Sequence, residues 1–364
     1  MRSKTQAFLR RILPDNVEHR SGGGHSMKQL QNTLYILTPE TYLALQNENI
    51  AVKVGGEEKV RIPAHSLSSI YCFGAATVST PLIGFCAQQG IALVFFSEYG
   101  KFLGRVEGPL HGNILLRRRQ FAAMEDPVQR TRLVRYLLLG KLANSKEFLL
   151  RQKRERTDQA DVFKRAAEKL TALGLQLRDC TTVEEMRGVE GAAAAAYFSA
   201  LPAMIAGYEF SFHGRNRRPP EDPVNALLSF LYTLLKNDVQ SALEGVGLDP
   251  AAGFLHSIRP GRPALALDLM EELRAPLCDR MAISLLNRGQ ITKKSYEQLN
   301  APVLLNEAGR KVVLSAWQKR KQETITHPFL EETIPIGLIP HTQAKLLARV
   351  LRDELDEYPP FHWR

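Results

Sequence analysis

The sequence predicts an α+β protein, with a small N-terminal β-sandwich-like domain followed by a larger all-helical domain. Three observations carry that expectation. Residues 27–107 hold short β-rich runs divided by Gly, Pro, Asn and Glu clusters. Beyond Gly108-Pro109-Leu110-His111-Gly112 nearly every segment has the 3.6-residue apolar period of a helix. A chain of 364 residues with 44% hydrophobic content can also bury two ordinary cores.

The elements follow in order. Residues 1–26 are basic and polar and end in Ser21-Gly22-Gly23-Gly24-His25-Ser26 before Met27, a composition that reads as a flexible linker upstream of the natural start. The β runs expected in 27–107 are Thr33–Thr38, Ile50–Val54, Ser69–Phe73, Ile91–Ser97 and Phe102–Val106. One helix interrupts them, with Thr80 placed to cap it, Pro81 at N1 and Gly90 closing it. From 108 to 364 the long helical segments are Pro127–Arg156, Glu184–Ala200, Pro223–Leu243, Leu265–Asn287 and Thr342–Glu357. Thr182-Val183-Glu184-Glu185 has the spacing of a capping box, and Pro263 is suited to open the helix that follows it.

The net charge of +10 and pI of about 9.5 point to a polyanionic partner, nucleic acid or an acidic membrane surface. The surplus is local. Residues 107–220 carry 20 Lys and Arg against 13 Asp and Glu, whereas 221–364 carry 17 against 18. Four cysteines stand without CxxC or Cys/His zinc spacing, which suits a reducing cytoplasm and argues against a disulfide framework or structural zinc. No apolar run reaches bilayer length, so a soluble protein is expected. Phosphate loops of the GxxxxGK[ST] type, GxSxG elbows and GxGxxG fingerprints are missing, which removes support from ATP-driven and serine-hydrolase chemistry.

Three places could carry chemistry. On a helix through Leu265–Asn287, Asp268, Glu271, Glu272 and Asp279 fall on one stripe, and Leu265, Leu269, Leu273 and Leu277 on another. That stripe is either a solvated acidic face or a functional one. Its start lies close behind His256-Ser257-Ile258-Arg259-Pro260-Gly261-Arg262, so a carboxylate, an imidazole and two guanidiniums come together as metal-assisted phosphodiester chemistry requires. Glu190, followed by Gly191 and Ala192–Ala196, is either a surface residue or a ligand at a tight helix junction. Arg215-Asn216-Arg217-Arg218-Pro219-Pro220 is a basic run whose arginine forks suit phosphate oxygens. Tyr197, two turns from Glu190, reads as core packing or as support for the site. His65, His111, His213, His327 and His341 stand outside these groupings.

These residues resemble the CRISPR-associated endonuclease and integrase family that acts in spacer acquisition. The likeness runs from Asn32-Thr33-Leu34-Tyr35 through Gly188-Val189-Glu190-Gly191 and the stretch Arg217 to Phe230. It continues through Gly253-Phe254-Leu255-His256, Arg259-Pro260-Gly261-Arg262-Pro263 and Leu267-Asp268-Leu269-Met270-Glu271-Glu272 to Tyr358-Pro359-Pro360. In detail it is most like the type I-C branch. The resemblance implies that 27–107 mediates dimerisation and that 108–364 is catalytic. It implies a catalytic metal trio, Glu190, His256 and Asp268, for Mg²⁺ or Mn²⁺, with Glu271 and Glu272 outside the primary set. Phosphate contacts are expected from Arg215, Arg217, Arg218, Arg259 and Arg262. The implied partners are double-stranded DNA (prespacer and CRISPR repeat), a second copy of the chain, and a small ferredoxin-like subunit completing a hetero-hexamer. A processing nuclease of the adaptation system is a further implied partner. A structure-selective nuclease on branched DNA or RNA, or a non-catalytic DNA-binding scaffold, are the alternative readings.

Overall fold

The computed structural model describes residues 32–98, 102–106, 108, 114–205, 209–216, 219–298 and 302–363. The expected linker at 1–26 lies outside these residues, as do His111, Arg217 and Arg218.

The N-terminal part is built on two four-stranded sheets. The first has the order β1 (Asn32–Ile36), β5 (Leu67–Phe73), β7 (Ala92–Phe96), β8 (Phe102–Arg105), with β1/β5 and β5/β7 parallel and β8 antiparallel. Its inner strands lack polar alternation because both faces are covered. Ile70, Cys72 and Leu93 enter one core with Leu43, Ile50 and Val52 of the second sheet. Tyr71, Phe73, Val94 and Phe96 point the other way, into the core of the helical part. The second sheet runs β4 (Glu57–Pro63), β3 (Asn49–Val54), β2 (Thr41–Gln46), β6 (Thr77–Val78). Strands β2, β4 and β6 were not among the expected runs. Strand β4 reads Glu-Glu-Lys-Val-Arg-Ile-Pro and is almost wholly exposed. Such a charged edge protects a sheet from pairing with another chain, and it erases the apolar signal by which strands are recognised. Helix α1 (Thr80–Gln89) starts at Thr80, and its cap is Ser79, whose hydroxyl accepts the Leu82 N–H at 3.4 Å. Gly90 closes it in the left-handed conformation at φ 69°.

The helical part comprises α2 (Ile114–Glu125), α3 (Pro127–Glu155), α4 (Ala160–Gln176), α5 (Val183–Ser199), α6 (Pro223–Val246), α7 (Ala264–Leu273), α8 (Arg280–Asn287), α9 (Glu307–Gln322) and α10 (Ile339–Leu351). Asp126 caps α3 through the N–H groups of Val128 and Gln129, and Thr182 with Glu185 forms the expected capping box of α5. This part is not all-helical: β9 (Tyr296–Gln298) pairs with β10 (Val303–Leu305), and β11 (Thr324–Thr326) with β12 (Thr333–Pro335). Three-residue strands are too short to display a two-residue period.

The expected single helix Leu265–Asn287 is three pieces, α7, a π-helical turn at Arg274–Asp279, and α8. Pro276 explains the break, since it has no N–H to donate to the Glu272 carbonyl four residues earlier. Asn144 of α3 supplies the missing donor, with Nδ2 2.7 Å from that oxygen.

Asp238 of α6 ties the two parts together. It accepts from Tyr71 Oη at 3.0 Å and Trp317 Nε1 at 3.2 Å and pairs with Lys321 Nζ at 3.0 Å. No described helix is long and apolar enough to cross a membrane.

Candidate active site

Asp268, in the second turn of α7, is fully buried, and its carboxylate organises the loop before it. Oδ2 accepts the N–H groups of Phe254 (2.6 Å) and Leu255 (2.9 Å). Oδ1 accepts the His256 N–H at 2.9 Å and lies 2.6 Å from His256 Nδ1. So close an approach requires Gly253, where a Cβ would stand 2.6 Å from the Ala264 carbonyl carbon and 2.8 Å from Asp268 Oδ2. The loop carbonyls are held from the other side. Arg130 Nε donates to Phe254 O and Arg187 Nε to Leu255 O, each at 2.8 Å. His256 is thereby fixed by backbone and Nδ1 together, and Nε2 takes no part in these contacts.

One turn further, Glu271 is also buried, 3% exposed. Its Oε1 meets Arg274 Nη1 at 3.0 Å and its Oε2 meets Lys141 Nζ at 2.8 Å, and Lys141 pairs with Glu190 as well. The approach to Oε2 is off line, so this buried oxygen receives no aligned hydrogen bond. Burial pushes the Glu271 carboxyl up, but the cations of Arg274 and Lys141, with His256, outweigh it and hold the group at about 2. The carboxylate is ionised.

Glu190, Glu271, Lys141, Arg215 and Arg274 line one cavity of about 70 Å³. Ala193 and Ala194 of α5 form part of the same wall, so the small residues after Glu190 keep the space open. Tyr197 and Tyr232 complete it by donating to Asp279, at 2.8 and 2.6 Å. Burial raises the Asp279 carboxyl despite these two hydroxyls. Tyr197 therefore supports the cavity wall through Asp279 and not through Glu190.

All four acids of the α7 stripe are buried, which rules out a solvated acidic face. Glu272 turns away from the cavity, accepting from Tyr358 Oη at 2.6 Å, Gln343 Nε2 at 3.0 Å and the Phe361 N–H at 2.8 Å. Of the three residues expected as metal ligands, His256 and Asp268 are in contact, while Glu190 pairs with Lys141. Among the described residues no group of three or more His, Cys, Asp or Glu side chains lies in a metal-ligating arrangement. Sequence reasoning left out Glu271, Lys141 and Arg274. Glu271 had a signal, its position three residues after Asp268 on the same stripe. Lys141 had only its setting in the apolar run Leu137-Leu138-Leu139-Gly140-Lys141-Leu142.

The arginines divide. Arg215 lines the cavity, but its guanidinium is held by Asn225 Oδ1 at 2.6 Å and Ser229 Oγ at 3.0 Å. Arg259 is exposed on the loop after His256, and Arg262 reaches Ser257 Oγ at 3.3 Å. His327 lies away from the cavity against Gln343, at 3.0 Å.

A family profile described as CRISPR associated protein Cas1 matches residues 34–319. The chain is 48% identical over 350 residues to a CRISPR-associated endonuclease Cas1 of Rhodospirillum rubrum, covering 93% of this chain and all of that one. It is 46% identical over 343 residues to one of Chlorobaculum tepidum, with the same coverage. A Cas4 exonuclease/Cas1 endonuclease fusion of Geobacter sulfurreducens is 34% identical over 339 residues, 90% of this chain and 60% of the fusion. In fold it is similar to a Cas1 protein from Thermotoga maritima, with TM-score 0.77, 23% identity and coverage of 88% and 97%. It is also similar to a casposase bound to an integration product, with TM-score 0.77, 19% identity and coverage of 92% and 95%. With the profile spanning most of the sequence and relatives near half identical along their whole length, the chain belongs to the Cas1 family of CRISPR-associated proteins.

Proposed function

We propose that this protein is a metal-dependent DNA endonuclease and integrase, most like the type I-C branch. It would insert new spacer DNA into a CRISPR array by attack of a fragment's 3′-hydroxyl on a target phosphodiester. One observation carries the reading: two carboxylates, Glu190 and Glu271, line one small cavity with the cations of Lys141, Arg215 and Arg274 around them.

The donor set fits Mg²⁺ or Mn²⁺. The carboxylates supply hard oxygens, His256 supplies a nitrogen that favours Mn²⁺, and Glu271 Oε2 is a buried acceptor without an aligned donor. Of the expected trio, Glu190 and His256 keep ligand roles in this proposal. Asp268 spends both oxygens on the Phe254–His256 loop, so its part is to orient His256, and Glu271 is the better third ligand. The bound ion would supply Lewis acidity to the scissile phosphate and charge to the leaving oxyanion. His256 Nε2 is placed to ligate the ion or to pass a proton to the leaving 3′-oxygen. Arg274 keeps Glu271 fixed while the reaction proceeds. Arg259 and Arg262 would hold the DNA backbone outside the cavity, and phosphate contacts are proposed for Arg217 and Arg218 as well.

The partners proposed are a second copy of the chain joined through the β-rich part, a small ferredoxin-like subunit in a hetero-hexamer, and double-stranded DNA as prespacer and repeat. The setting is the cytoplasm. A Cas6-RT-Cas1–Cas2 complex contains a chain of similar fold, and the Cas4/Cas1 fusion supports an associated processing nuclease. The test is strand transfer of a labelled duplex with free 3′-hydroxyls into a repeat-containing plasmid with Mn²⁺ or Mg²⁺, the small subunit supplied. Joined product that disappears in His256→Ala and with chelator supports integration. Shortened strands alone favour a structure-selective nuclease, and binding with neither product favours a scaffold.

A further inference from the structure

Lys141 has no part in the reaction as proposed, yet its ammonium stands between the two carboxylates that reaction needs. It rises from the middle of α3, pairs with Glu190, and lies 2.8 Å from Glu271 Oε2. Its side chain is 12% exposed, and Leu142 and Ser145 beside it also line the cavity. We infer that the Lys141 ammonium is a built-in occupant of the cation position, holding Glu190 and Glu271 together in the metal-free protein and competing with the divalent ion for them. The inference rests on reading the cavity as a divalent-cation site.

Three features lead there. Two carboxylates facing one cavity of about 70 Å³ are best accommodated with a positive charge between them. Arg274 neutralises only the Oε1 side of Glu271, which leaves Oε2 and Glu190 to Lys141. The contact with Oε2 is close, at 2.8 Å, but off the line of a good hydrogen bond, so the ammonium chiefly balances charge there. A lysine suits such a task. Its charge is compact and its four-carbon stem can swing, whereas a guanidinium fork would bind both carboxylates rigidly. When a divalent ion enters, like charge and shared ligands expel the ammonium. The anion it then meets in the cavity is the phosphodiester of the DNA, so the arriving metal would also deliver Lys141 to the substrate.

The experiment is calorimetric titration of the full chain with Mn²⁺ at fixed pH and salt, without DNA, comparing wild type, Lys141→Met and Lys164→Met. Lys164 is exposed on α4, and its loss removes the same charge away from the cavity. Lys141→Met should bind Mn²⁺ roughly tenfold more tightly than wild type, because the competitor is gone and Glu190 and Glu271 Oε2 are left without their shared cation. Lys164→Met should match wild type. Thermal melts provide a second reading: Lys141→Met should be less stable without metal and gain more from Mn²⁺ than wild type does. Equal or weaker Mn²⁺ binding by a folded Lys141→Met would overturn the inference. If Lys141→Met alone binds, the competition is stronger than stated and the inference stands. If neither protein takes up Mn²⁺, the metal reading of the cavity fails and carries this inference down with it.

Discussion

Asp268 Oδ1 lies 2.6 Å from His256 Nδ1 and 2.9 Å from the backbone nitrogen of the same residue, so one carboxylate oxygen fixes both the ring and the chain that bears it. The other oxygen takes the two preceding N–H groups. Asp268→Ala would leave three backbone N–H groups and the His256 ring without their acceptor, and a cost of about 3 kcal/mol or more is expected. Glu190, whose side chain is 29% exposed, should cost little when replaced by Ala. Urea melts of both variants in metal-free buffer check this. Equal losses would mean that Asp268 does not organise the loop.

Glu271→Gln keeps the shape of the cavity wall and removes one negative charge. Strand transfer should fall by at least about a hundredfold, the scale on which loss of a preorganised charged group acts in catalysis. DNA affinity, set by arginines on the surface, should hold. If Glu271→Gln retains near wild-type transfer while Asp268→Asn does not, the ligand roles of the two acids are the reverse of those proposed.

Arg259 stands exposed on the His256 loop and is expected to meet phosphate, not a base. Arg259→Ala should weaken DNA binding about equally for all sequences and lower the slope of log K against log salt by about 1. Fluorescence anisotropy over a salt series measures the slope. An unchanged slope removes Arg259 from the interface.

His327 gives the fold a pH dependence away from the cavity. Its Nδ1 accepts the N–H groups of Phe329 (3.3 Å) and Leu330 (3.2 Å), so in the folded chain the proton belongs on Nε2, towards Gln343 Oε1. Burial depresses its pKa below the ordinary 6.5, with Gln343 and Glu332 opposing weakly. A histidine depressed in the folded state contributes stability that is present above its unfolded pKa and lost as the pH falls through the folded one. Wild type should therefore lose urea resistance between about pH 7 and 5 more steeply than His327→Asn, whose amide oxygen can accept the same N–H groups. Parallel pH profiles would show that His327 is not the group responsible.

Local pattern left Glu190 and the acidic stripe with two readings each, and it was the resemblance to a known family that singled out Glu190, His256 and Asp268. The β-rich start and the capping box of α5 were legible directly, since capping residues act locally. Glu271 stood on the same stripe as Asp268, but a helical wheel cannot tell which acid of a stripe faces a cavity when the whole helix is enclosed, as α7 is by α3, α6 and α10. Lys141 was hidden because a single lysine in an apolar run looks like an interruption of the core. Edge strands such as β4 take their residues from the needs of the surface, and no local period reveals them.

The π turn at Arg274–Asp279 bears on how this stretch of chain can vary. It accommodates one residue more than an α-helical turn, so the chain after it keeps the angular phase it would have in a regular helix one residue shorter. Removal of Pro276 alone would let the turn close into regular α-helix while Met281, Ile283 and Leu285 stay in the core. A one-residue deletion within α8 has no such slack, and it would turn everything beyond it by about 100°. The same loss of length is thus absorbed on one side of Asp279 and disruptive on the other.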